Sequence, residues 1–207
     1  MTTEVRVTNE YYNRIIIVEY ISVFFSTFGV GISMIINELK LYRKIDLVQE
    51  NILLSYVMFS TLALVLTLYF RYQLYLKWYM YRGLLTEYDN LISTNWWHEM
   101  LTEQLIVIIS PLPFLQSVKY TEVNKNWSTS YQYEINQILM CLSFARIYIH
   151  LRYTLIVSKF MNPRSKRVCT MNGCEAEHMF AIKSIMKQMP YTFISFTLTI
   201  TIFLFGY

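Results

Sequence analysis

Three ionisable side chains, Arg146, His150 and Arg152, lie inside one apolar run, Ile135–Val157. Charge within a segment long enough to cross a bilayer is expensive and usually faces protein or water, so these residues are the first candidates for chemistry. A voltage sensor would need several Arg or Lys at every third position along one stripe. Arg146 and Arg152 are six positions apart, which at about 100° per residue puts them on well-separated faces; His150, four from Arg146, shares its face. Two arginines carry little gating charge. The spacing therefore predicts a static role, in which these side chains pair with acids on neighbouring spans, such as Glu19 or Glu103, and hold a bundle together.

Other chemistry is sparse. Cys169, Cys174 and His178 read C-x4-C-x3-H and offer three ligands where structural zinc wants four, so no metal is expected. With Cys141 the cysteines number three, which is no disulfide framework. There is no nucleophile–base pair, no cluster of carboxylates and no phosphate-cradling glycine loop, so neither an enzyme nor a cofactor is expected. One sequon, Asn126-Trp127-Ser128, makes Asn126 a candidate glycosylation acceptor.

The elements that must position these residues follow from composition. Of 207 residues 55% are hydrophobic and 15% charged, against about 25% charged in an ordinary soluble domain. Mean hydropathy is +0.31. A net charge of +4 is too small to suggest a nucleic-acid partner. Bilayer hydrocarbon is about 30 Å thick and needs about 20 mostly apolar residues per helix. Five runs qualify as candidates: Ile15–Ile36, Ile52–Phe70, Leu101–Val118, Ile135–Val157 and Pro190–Tyr207. The third contains Pro111 and Pro113, which remove helix hydrogen bonds, so it is expected to be helical to about Ser110 and irregular beyond. No signal peptide is apparent, and the first run reads as a retained span.

With the N-terminus in the cytoplasm, eleven Lys and Arg fall on the inner side and five outside. Basic residues resist translocation, so this orientation is the expected one, and it places Asn126 outside. The predicted organisation is a multi-pass integral membrane protein. Residues 1–14 form a cytoplasmic N-terminus, 15–158 a four-helix transmembrane bundle, 159–189 a basic cytoplasmic linker and 190–207 a fifth span. In the linker, Met179, Ile182, Ile185, Met186 and Met189 recur at helical spacing, predicting an amphipathic helix over Glu177–Met189. Such a helix lies on a membrane surface or docks a partner.

The run Phe144-Ala145-Arg146-Ile147-Tyr148-Ile149-His150-Leu151-Arg152, followed by Ser158-Lys159, resembles the fourth helix of the small- and intermediate-conductance calcium-activated potassium channels. Phe180-Ala181-Ile182-Lys183-Ser184-Ile185-Met186, ending at Pro190, is similar to the end of that family's connector. Ile109-Ser110-Pro111-Leu112-Pro113 looks like its proline-containing third helix, and Phe28-Gly29 and Glu38-Leu39 have counterparts around its first. The resemblance covers roughly residues 20–207. It implies an all-α fold with a voltage-sensor-like four-helix bundle, two short linker helices and a fifth, pore-domain-type helix. It also implies assembly as a tetramer, gating by calcium through calmodulin, and a calmodulin contact zone at Ser158, Lys159, Phe160 and Met161 extending to Arg167.

A potassium filter needs a Thr-x-Gly-Tyr-Gly loop whose carbonyls replace the ion's water shell, and these 207 residues contain none. The expectation is a potassium-channel-type membrane protein that does not conduct by itself. The alternative is a non-conducting structural or regulatory subunit of a larger membrane complex. Its partners would be the bilayer, calmodulin, and further copies or other subunits.

Overall fold

The computed structural model describes residues 2–42, 46–116, 118–124, 129–174, 178–191, 194–195 and 197–198. The described residues are mostly helical. Helix α1 spans Thr2–Leu41 and α2 spans Leu47–Tyr81. At 1.5 Å per residue they are about 60 and 52 Å long, well beyond the bilayer's hydrocarbon, so each projects past it. The first fourteen residues continue α1 from Thr2 rather than forming a separate segment. Arg71 and Lys77, which lie beyond the apolar run Ile52–Phe70, are inside α2. α2 stops where Gly83 turns left-handed, φ 71°. There the Leu84 N–H donates to the Tyr79 carbonyl at 3.1 Å and the Gly83 N–H to the Met80 carbonyl at 2.9 Å. This pair of bonds closes orphan carbonyls at the helix end and needs a residue without Cβ.

Helix α3 covers Trp97–Ile108, shorter than the third predicted span. Its helical part ends close to the position predicted from the prolines. A 3-10 turn follows at Pro113–Leu115. Next comes an element the sequence reading did not include. Strands β1 (Lys119–Asn124) and β2 (Thr129–Glu134) pair antiparallel, in register from Lys119 opposite Glu134 to Asn124 opposite Thr129. The expected all-α fold is corrected to this extent. The segment is rich in Tyr, Thr and Val, which favour a pleated backbone, but it is too polar to register in a search for spans. Asn126 lies outside the described residues.

The fourth span is α4 (Ile135–Ser143), a 3-10 turn (Phe144–Arg146) and α5 (Ile147–Val157) in one continuous run. In the connector, α6 (Pro163–Met171) opens with proline at its first turn and α7 covers His178–Gln188. Gly173 ends α6 at φ 71°, with the Cys174 N–H donating to the Cys169 carbonyl at 2.9 Å. The expected fifth span lies largely outside the described residues.

Three segments, Arg6–Leu41, Leu47–Tyr81 and Ile135–Val157, are long and apolar enough to cross a membrane. The distribution of polarity across them has the same meaning. The buried stripe of α1 is polar at Glu19, Ser22, Ser26 and Ser33, while Ile17, Tyr20, Phe24 and Phe28 point outward and are exposed. On α2, Phe59, Leu62, Leu66 and Phe70 are likewise exposed. Soluble monomers rarely leave contiguous apolar patches of this size in water, whereas lipid rewards them. The chain is a membrane protein. Between its helices, apolar contact is concentrated in three places: Tyr12, Ile15, Trp78 and Ile156; Leu64, Leu68, Val107 and Ile149; and Ile36, Leu54 and Val57.

Two glycines of α1 have opposite surroundings. A Cβ on Gly29 would lie 2.9 Å from the Ser60 hydroxyl oxygen and 3.0 Å from an Arg146 guanidinium nitrogen. A Cβ on Gly31 would meet nothing within 4 Å. Gly29→Ala is therefore expected to destabilise by about 1–3 kcal/mol through overpacking. Gly31→Ala should stabilise by about 0.5–1 kcal/mol through helix propensity. Thermal unfolding of the two variants in the same lipid checks this; shifts of equal sign would contradict the assigned packing of α1.

Candidate functional site

The buried centre of the molecule is ionic. Glu19 of α1 is fully buried, and Arg71 of α2 nearly so. Glu103 comes from α3 and Arg152 from α5. Arg71 donates to Glu19 Oε1 at 3.3 Å and to Glu103 Oε2 at 2.6 Å. Arg152 donates through Nη2 and Nε to Glu19 Oε2, at 2.9 and 3.2 Å, and through Nη1 to Glu103 Oε2 at 2.9 Å. Two guanidinium groups and two carboxylates alternate, so the formal charge cancels and each ion touches two of opposite sign. Aromatic faces surround the set: the Arg71 guanidinium is 4.5 Å from the Tyr72 ring and 5.9 Å from Tyr75, and Arg152 is 5.5 Å from Tyr148. Dehydrating four ions is costly, and only such closure offsets it. One residue from each of four helices joins the ring, so it fixes their rotation about their own axes.

Arg152 is thus paired with the two acids the sequence singled out. Arg146 is not. It is 99% buried, and its Nη2 donates to the Val107 carbonyl at 2.7 Å and the Ile109 carbonyl at 3.5 Å. These two carbonyls are the ones that Pro111 and Pro113 leave without a helical donor, because the i→i−4 partner of each is a proline that lacks N–H. Arg146 therefore replaces the amide groups that the prolines removed, and the end of α3 carries the partial negative charge that suits a cation. The close approach of Gly29 and Ser60 leaves room for its guanidinium and little more. His150 joins neither group.

A second ionic group closes the far end of α1. Lys40 pairs with Glu50 of α2 and with Glu134 at the end of β2, the latter at 2.5 Å. Beside it Asn136 accepts from the Leu112 N–H at 3.2 Å and donates to the Leu112 carbonyl at 3.1 Å, tying α4 to the proline segment.

The five residues of the expected calmodulin contact are differently placed. Lys159 and Arg167 are exposed, Ser158 and Phe160 are half-buried, and Met161 is buried. The Tyr12 hydroxyl lies 2.8 Å from the Met161 carbonyl and 3.0 Å from that of Ile156, which anchors the end of α5 to α1. Among the described residues no group of three or more His, Cys, Asp or Glu could hold a metal ion. Arg71 is the member of the ionic centre that its place in the sequence does not mark. It follows directly on the apolar run that ends at Phe70, a position that reads as the first residue of a loop; only α2 continuing as far as Tyr81 makes it part of the buried centre.

No protein-family model matches the chain, and no curated protein matches it.

Proposed function

We propose that this chain is the peripheral helix domain of a potassium-channel-type membrane protein, of the calcium-activated kind its fourth span resembles. Its N-terminus is cytoplasmic, and the α6–α7 connector faces the same side. The domain carries no ion path of its own and serves as a fixed support for the connector. The observation that carries this reading is that both arginines of the fourth span have partners within the bundle. Arg152 is held between Glu19 and Glu103, and Arg146 is held on the Val107 and Ile109 carbonyls. A span moved by the membrane potential must exchange charge partners along its path, and Arg146 has no carboxylate beside it among the described residues. A gate driven through the connector needs the opposite, a bundle that stays still.

The test is electrical and biochemical on the same material. The 207-residue chain expressed alone in a cell membrane is expected to add no potassium-selective current, and a selective current would overturn the reading. Purified into lipid nanodiscs, it is expected to retain calmodulin only in the presence of calcium. Loss of that retention, together with no effect on co-expressed calcium-activated channels, would transfer the chain to the other reading, a structural subunit of a membrane complex.

A further inference from the structure

The connector is seated on the bundle by a lysine that has no acid beside it among the described residues. Lys166, on α6, places its ammonium 5.0 Å from the Trp78 ring and 5.9 Å from the Tyr12 ring. The two rings belong to α2 and α1 and sit 6.0 Å apart. Arg82, just past the end of α2, also stacks on Trp78, with its guanidinium carbon 4.6 Å from the ring. Two cations thus share one indole, and no carboxylate of the described residues neutralises either.

We propose that α6 is a releasable connector: Lys166 is seated on the Tyr12–Trp78 aromatic pair with no carboxylate of the described residues beside it, so the docked helix detaches from the bundle well before the bundle itself unfolds, exposing Cys169.

The physical balance favours release. A cation over an aromatic face is attracted to it, but that attraction must offset the loss of the ammonium's water and the repulsion from Arg82. Burial first, and Arg82 second, push the Lys166 ammonium down to about 8. The docked lysine therefore gives up its proton above about pH 8, whereas a released lysine in water stays charged to about pH 10. The groups facing Lys166 are Tyr12 from α1, Trp78 from α2, Arg82 just past its end, and His178 from α7, whose imidazolium is disfavoured by burial first and by Lys166 second. A proton leaves Lys166 on docking between pH 8 and 10, so docking tightens as pH rises through that window. The apolar cluster beneath the lysine, Tyr12, Ile15, Trp78 and Ile156, belongs to α1, α2 and α5, and α6 itself has no buried residue to add to it.

Cys169 gives a direct readout. It is half-buried on α6, one turn from Lys166, whereas Cys174 just beyond the helix is exposed and serves as an internal reference. In the full chain in lipid nanodiscs, the rates at which a neutral maleimide alkylates Cys169 and Cys174 are compared as a ratio. Lys166→Met keeps the packing and removes the dehydrated charge. It is expected to lower the Cys169-to-Cys174 ratio about tenfold at pH 7. The wild-type ratio should fall several-fold from pH 7 to pH 9, and that of the Met variant should stay constant. Protection of the α6 amides against hydrogen exchange, measured on the same samples, should rise in the variant. An unchanged or higher ratio in Lys166→Met would mean that the lysine anchors α6, and the proposal would fail. Neither current nor calmodulin enters the readout, so the outcome is independent of the proposed function.

Discussion

Glu19→Gln is expected to destabilise the bundle by about 3–5 kcal/mol, because it leaves Arg71 and Arg152 dehydrated around the single carboxylate of Glu103. Glu19 is fully buried, so water cannot enter to replace the lost charge without opening the helix contacts. Arg152→Gln should cost a similar amount by the mirrored argument, since two carboxylates would then face one guanidinium. The double variant Glu19→Gln/Arg152→Gln is the informative one. It leaves the Arg71–Glu103 pair, whose contact is 2.6 Å and whose charges cancel. Its loss should therefore be smaller than the sum of the two single losses by at least about 2 kcal/mol, the size of coupling expected between residues in one ion network. Unfolding of all four proteins in one detergent or lipid gives this cycle directly. Additive losses would show that the four charges do not act as a closed set.

The second large effect concerns Arg146 and the prolines of the third helix. Arg146→Met should destabilise the wild-type protein by about 2 kcal/mol, since hydrogen bonds from a charged donor to buried carbonyls are worth about 1.5–3 kcal/mol and removal of the dehydrated charge returns part of that. In a Pro111→Ala background the same substitution should cost less than about 1 kcal/mol, because residue 111 regains an N–H that can satisfy the Val107 carbonyl directly. The prediction is thus a coupling between positions 35 residues apart in sequence, Arg146 and Pro111. Equal losses in the two backgrounds would mean that Arg146 does not substitute for the missing amide. The pairing also gives a role to the 3-10 turn Phe144–Arg146, which delivers the guanidinium at the point where α4 passes into α5.

Much of this arrangement was legible in particular residues. The apolar runs Ile52–Phe70 and Ile135–Val157 report membrane-crossing helices by length alone, and both lie within long apolar helical segments of the structure. Pro111 and Pro113 announced the end of α3, because a missing N–H is a property of the residue itself. Glu19 and Glu103 were visible as partners for Arg152, since an acid at the edge of an apolar run has few other uses. Three features were not legible. Arg71 looked like a loop residue because hydropathy marks where apolar sequence stops and not where a helix stops. The hairpin of β1 and β2 depends on pairing two short polar strands, which span-length patterns do not detect. Arg146 was expected on a carboxylate and found its partners on backbone carbonyls, which every residue carries and no sequence distinguishes.

The sequence by itself determined that this chain enters lipid, that its fourth span carries buried charge, and that its third helix breaks at the prolines. Each of these is local, written in the chemistry of a residue and its near neighbours. Only the tertiary structure decided which charges meet. The rotation of α1, α2, α3 and α5 about their axes brings Glu19, Arg71, Glu103 and Arg152 to one point, and packing of the 3-10 turn Phe144–Arg146 against α3 carries Arg146 to its open end. Such choices depend on how whole helices pack, because in lipid the polar faces must find one another and no single segment specifies its neighbour.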